Sequence, residues 1–111
     1  MEERRPFIAI MLFEVTSDRQ WEPLMFNEET MLIYAASEAG ARARAEEAAK
    51  EKEVTYPNID GENVTWRFQR LVDIRETLYE DLSQDVDLYS RSFERLEPYE
   101  ELFPAAELDG T

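Results

Sequence analysis

The chain contains no cysteine and no histidine. Without thiols there is no disulfide, no thiolate nucleophile and no iron–sulfur ligation. Without imidazole, Ser-His-Asp and Cys-His chemistry and most zinc sites are excluded. The usual proton-transfer group near pH 7 goes with it. Glycine is scarce too, at three residues, and no G-x-G-x-x-G, G-x-x-x-x-G-K-[ST] or G-x-S-x-G motif occurs. Loops that cradle nucleotide phosphates and nucleophile elbows are therefore absent. No apolar run approaches the roughly 18 residues that a membrane span needs. The opening Met-Glu-Glu-Arg-Arg carries no signal-peptide apolar region, so the expected location is cytoplasmic. These absences predict a protein that is not an enzyme and uses no cofactor and no metal.

Positive charge is the last scarcity. Twelve Lys and Arg face 26 Asp and Glu, a net charge of −14. Direct binding of nucleic-acid phosphates requires a clustered basic face, and anionic membranes repel such a chain. The excess is steepest in residues 76–111, where only Arg91 and Arg95 oppose the acids. An acidic surface of this kind serves solubility. It also forms a complementary face for a basic protein partner.

What is present suffices for one folded domain. The 111 residues are 43% hydrophobic and 12% aromatic, which separates them from a disordered acidic tail. One domain over 1–111 is expected, with a core at about 7–93 and a partly docked acidic segment at 94–111. Residues 7–15 are apolar on both faces of a strand: Phe7, Met11 and Phe13 on one, Ile8, Ile10 and Leu12 on the other. Such a strand is central or covered on both sides. Residues 16–29 read as a long loop with buried anchors at Trp21, Leu24 and Phe26. Residues 30–36 form a second strand. Ser37 is a good N-cap for a helix over 38–53, whose core face is Ala41, Ala45, Ala48 and Ala49. After Val54-Thr55-Tyr56-Pro57, the run Asn58–Glu62 reads as a turn in which Asp60-Gly61 supplies a positive φ. Residues 63–75 alternate, with Val64, Trp66, Phe68, Val72 and Ile74 on the buried face. Arg70 and Leu71 break the alternation, which predicts a bulge or a strand end near there. Residues 76–85 read as a short helix or loop and 86–93 as a further strand. An amphipathic turn using Tyr99, Leu102 and Phe103 is expected to dock against the body. The fold class is α+β: a mostly antiparallel sheet of about four strands with one main helix on one face, a ferredoxin-like variant. The uncovered face is left for the C-terminal segment or a second copy of the chain.

Four pieces in this order resemble a family of small bacterial proteins, domain-of-unknown-function family 4288. They are the apolar first strand, the Leu32–Ser37 strand with its Ala41/Ala45/Ala49 helix, the Gly61-Glu62-x-Val64-x-Trp66-x-Phe68 segment, and Leu88-Tyr89-Ser90-Arg91. The similarity covers about residues 7–93. The family's glycine before the Tyr-Ser-Arg element is replaced here by Asp85-Val86-Asp87. The resemblance implies the α+β fold and brings no catalytic residues with it.

Two sets of side chains stand out as candidate sites. Asp81, Asp85 and Asp87 with Glu97, Glu100 and Glu101 form the acidic face for a basic partner, joined by the loop aromatics Trp21 and Phe26. The implied mechanism is steric occlusion with charge complementarity, as an inhibitor or immunity protein covers its target. The acids lack the spacing and glycine of a calcium loop. Arg67, Tyr89 and Arg91 form the second set. With Arg75 they either pair with Asp73 and Asp87 across the sheet or hold a small anionic ligand. Self-association as a homodimer or accessory subunit, through the first strand or the uncovered sheet face, is a third reading.

Overall fold

A computed structural model describes residues 3–79 and 81–104 of the chain. Its elements are strands β1 (Arg5–Ser17) and β2 (Met25–Ala35), helix α1 (Glu38–Glu51), strands β3 (Val54–Pro57) and β4 (Asn63–Glu76), and helix α2 (Glu97–Leu102). The sheet runs β2-β1-β4-β3, with every neighbouring pair antiparallel. This is an α+β fold, as the sequence predicts.

The two-sided apolar pattern of β1 has its cause in this order. β1 lies between β2 and β4, so both of its edges are paired and both faces are covered. Phe7, Ala9, Met11 and Phe13 are at most 1% exposed on the helix side, and Ile8 and Ile10 are at most 4% exposed on the other. α1 crosses the sheet from the β2 edge to the β3 edge. Ser37 caps it, its Oγ accepting from the Gly40 amide at 3.1 Å. Ala41, Ala45 and Ala49, one turn apart, are fully buried. Their short side chains let the helix lie close against Phe7, Ala9, Ile33 and Ile74. Ala48 is only half-buried, because the seam follows the i, i+4 row. Met11 and Phe13 continue the core, with Trp66, Phe68 and Leu71 packed beside them. The Phe13 ring sits 5.9 Å from Phe68 and 6.3 Å from Trp66, centroid to centroid.

The predicted bulge is present, and there are two. The β1–β4 register shifts between Ile10 and Met11 and again between Leu12 and Phe13. Val72 and Gln69 are the extra residues. Each insertion breaks the period of two. The helix-facing residues of β4 are therefore Phe68, Leu71 and Ile74, opposite Phe13, Met11 and Ala9. Val72 does not join that row, contrary to the sequence reading. Gly61 takes the predicted positive φ, 80°, in a turn where the Asn58 side chain accepts from the Asp60 and Glu62 amides, both at 2.9 Å.

Three expectations are corrected. The 16–29 loop is only residues 18–24, because β2 begins at Met25 and pairs out to Val15. Its supposed anchors are exposed: Trp21 at 103%, Leu24 at 41% and Phe26 at 58%. The loop lies at the hairpin tip, beyond the end of the core. Residues 86–93 form no strand, and the fourth strand is Val54–Pro57. β3 pairs only with Asn63–Trp66 of β4. Among the described residues, the chain leaving β4 does not add to the rest of that edge but crosses the sheet face, where Tyr89 meets Asp73. Finally, Tyr99, Leu102 and Phe103 do not dock: α2 has no buried residue, and every residue from Arg91 to Pro104 is exposed.

Candidate functional site

β4 places Asp73 and Arg75 on the sheet face opposite α1, in register with Ile10 and Ile8 of β1. After Glu76 the chain turns, with the Thr77 amide donating to the Pro6 carbonyl at 3.0 Å. The following strap brings Tyr89 back over that face. The Tyr89 hydroxyl donates to Asp73 Oδ2 at 2.6 Å. Arg75 Nε lies 3.0 Å from the same oxygen, and a second Arg75 nitrogen donates to the Ser90 carbonyl at 3.1 Å. Arg91 donates to the Tyr89 hydroxyl at 3.2 Å. The Arg75 and Arg91 guanidinium carbons stand 5.4 and 5.7 Å from the Tyr89 ring centroid.

These contacts fix the electrostatics. The Tyr89 hydroxyl, with the Ile74 amide and Arg75, holds the Asp73 carboxyl below its ordinary value of 3.8, despite partial burial. The Tyr89 hydroxyl, followed by the charges of Glu28 and Asp73, keeps Arg91 firmly protonated. The cluster is an ionised carboxylate whose donors are already in place. It latches the strap over Ile8 and Ile10. The groove beside it, lined by Arg75, Glu76, Leu78, Asp87, Leu88, Tyr89 and Ser90, holds about 180 Å³. Small-molecule sites usually offer roughly 300–1,000 Å³.

Of the sequence-predicted pairings of Asp73, the one with Arg75 is found; the Tyr89 hydroxyl on the same carboxylate was not among them. Asp87 takes no part in it and lines the neighbouring cavities. Arg67 shares the face, opposite Glu14, yet no recorded contact ties it to Tyr89 or Arg91. Asp73 and Arg75, expected from the sequence to pair across the sheet, form the centre of the cluster. The signal for them was the short Asp-x-Arg spacing, which puts both side chains on one face of a strand.

The acidic candidates fall into two groups. Asp81, Asp85 and Asp87 line one open cavity of about 660 Å³ with Tyr79, Gln84 and Val86. No basic side chain lines it. The Ser83 hydroxyl and amide donate to Asp81, at 2.5 and 3.0 Å, and hold its carboxyl below 3.8. Among the described residues no three carboxylates converge to hold a metal ion. Glu97, Glu100 and Glu101 lie instead on α2, away from this cavity. Trp21 stands in solvent, and Phe26 lies on the outer face of β2 opposite Glu14. The structure does not bring either aromatic to the acidic cavity.

No helix among the described residues is long and apolar enough to cross a membrane. Neither the curated proteins nor the solved structures contain a match to this chain. A family model does match, over residues 6–90, a stretch that holds the whole sheet, α1 and the strap as far as Ser90; the chain belongs to the family described as Domain of unknown function (DUF4288).

Proposed function

We propose that the chain is a non-catalytic protein-interaction module whose acidic strap covers a basic protein partner, in the manner of an inhibitor or immunity protein. One observation carries this reading. Asp81, Asp85 and Asp87 open onto a single cavity that, among the described residues, no basic side chain lines. On the sheet and helix, by contrast, Asp73, Glu29, Glu76 and Glu38 each have an arginine or lysine beside them, in Arg75–Asp73, Lys52–Glu29, Arg5–Glu76 and Arg42–Glu38. Three carboxylates held together without counter-charge repel one another, and a cationic surface relieves that repulsion. With a net charge of −14, long-range attraction speeds encounter with a basic target. The latch disfavours the anionic-ligand reading for Tyr89 and Arg91, since the Tyr89 hydroxyl donates to Asp73 and accepts from Arg91. A chain without cysteine suits a reducing compartment, and we place the module in the cytoplasm.

Affinity capture from the source organism tests this, with the wild-type chain and Asp81→Asn/Asp85→Asn/Asp87→Asn as parallel baits. A basic protein is expected on the first bait and lost from the second, with an association rate that falls as salt rises. A partner held equally by both baits, or one bound at a salt-independent rate, refutes the reading.

A further inference from the structure

Two apolar surfaces of the chain face solvent without meeting. The first is the arm, residues 91–104. Phe93 stacks on Tyr99 with centroids 4.9 Å apart, and Tyr99 touches Phe103 at 5.3 Å. With Leu96 and Leu102 these rings are 48–75% exposed. Around them lie Glu94, Glu97, Glu100 and Glu101, against the two bases Arg91 and Arg95, both of which line the groove beside Phe93 and Tyr99. The second surface is the part of the sheet face opposite α1 that the strap does not cover. There β2 presents Phe26, Leu32 and Tyr34, at 58%, 44% and 44% exposure, and β4 presents Arg67 and Arg70. Glu14 and Glu28 share this face. Among the described residues, neither arginine lies within ion-pair distance of a carboxylate.

The arm is apolar with a net-acidic rim, and the sheet face is apolar with Arg67 and Arg70 along β4 and Glu14 and Glu28 beside them. We propose that the arm of one copy seats on this sheet face of a second copy, and the second arm on the first, forming a two-fold dimer by arm exchange. Charge complementarity favours the pairing, even though two anionic chains repel at long range. Area favours it as well. The chain exposes 8891 Å², about 2,500 Å² more than a compact monomer of its mass. A stable dimer interface takes roughly 1,600 Å² from both partners together. The radius of gyration is 17.5 Å, against about 13 Å for a compact chain of this length. Every residue from Arg91 to Pro104 is exposed, so the arm lies off its own sheet and open to a neighbour. The contact is isologous, so each chain gives one arm and receives one. This dimer leaves the Asp81/Asp85/Asp87 cavity free and does not depend on its role.

Sedimentation equilibrium and light scattering across micromolar concentrations of the full chain test the proposal. The wild type is expected at twice the 13.1 kDa chain mass. Leu102→Ser/Phe103→Ser on the arm and, independently, Phe26→Ser/Leu32→Ser on the sheet should each weaken dimerisation by roughly tenfold or more. Circular dichroism should stay unchanged, since all four side chains are exposed in the monomer. Arg67→Glu/Arg70→Glu should also weaken it, and adding Glu100→Arg/Glu101→Arg should restore it. An extended monomer overturns the proposal, and so does a compact monomer whose arm has closed on its own sheet. A dimer indifferent to the arm and face variants also overturns it, because that dimer uses another surface such as the β2 edge. Failure of the double charge reversal to recover affinity overturns the acid-to-base seating.

Discussion

In the body, Phe7, Met11, Phe13 and Val15 are no more than 1% exposed; in the arm, Phe93, Leu96, Tyr99, Leu102 and Phe103 are 48% exposed or more. The residue types are alike and their surroundings are opposite. β1 is flanked on both edges and covered on both faces, so each of its side chains meets several others. The arm follows a strap that is tied down at Tyr89 and Ser90 and then leaves the sheet. Apolar content alone does not decide burial. Position relative to a paired strand does. The family match also stops at Ser90, one residue past the latch tyrosine.

The sharpest break of this contrast is at Phe13. Phe13→Ala removes the ring that fills the space between α1 and Trp66 and Phe68, and should cost about 3–5 kcal/mol in denaturant unfolding. A loss well under that would mean the body packs no more tightly than the arm. Next is the helix seam. Ala45→Leu forces a larger side chain into the close contact of α1 with β1 and should cost about 1–3 kcal/mol by the same measurement. Tyr89→Phe probes the boundary between the two regions. It removes the hydroxyl that Asp73 accepts, for an expected loss of about 1 kcal/mol, and should speed hydrogen exchange at Ile8 and Ile10. It should also return the Asp73 carboxyl toward 3.8, read by NMR titration. The sign follows from the direction of that shift. A carboxylate whose folded value is lowered contributes its stability above the ordinary 3.8, and that contribution fades as pH falls through the lowered value. The wild type should therefore lose more stability than Tyr89→Phe on acidification through this window. The smallest effect belongs to Trp21→Ala, at 103% exposure, where the change should stay within about 0.5 kcal/mol.

The body was largely legible because its pattern is periodic and local. The double-faced run of β1, Ser37 with the alanine row, and Asp60-Gly61 each point to one structure through sterics alone. The bulge was announced by Arg70 and Leu71, but its doubling was not, since two compensating insertions look like mild irregularity. The start of β2 was missed because Asn27, Glu28 and Glu29 are poor strand formers, held in the ladder by pairing with β1. Residues 86–93 alternate like a strand, and periodicity cannot reveal that this stretch folds over the sheet face, held by Tyr89 on Asp73, rather than along the outer edge of β4. At the candidate site, Tyr89 and Arg91 were visible as unusual residues. That the Tyr89 hydroxyl reaches Asp73 and joins Arg75 on it depends on a fold-back that no local pattern encodes. The three strap aspartates came together because they are near in sequence, whereas the α2 glutamates were grouped with them on charge alone.

The paired insertions in β4 bear on how this domain tolerates change in length. Because Gln69 and Val72 stand outside the ladder, removing either one would leave Phe68, Leu71 and Ile74 pointing at the helix and only straighten the strand locally. A residue can thus be lost from the middle of an interior strand without inverting the inside and outside of the protein, a freedom usually reserved for loops.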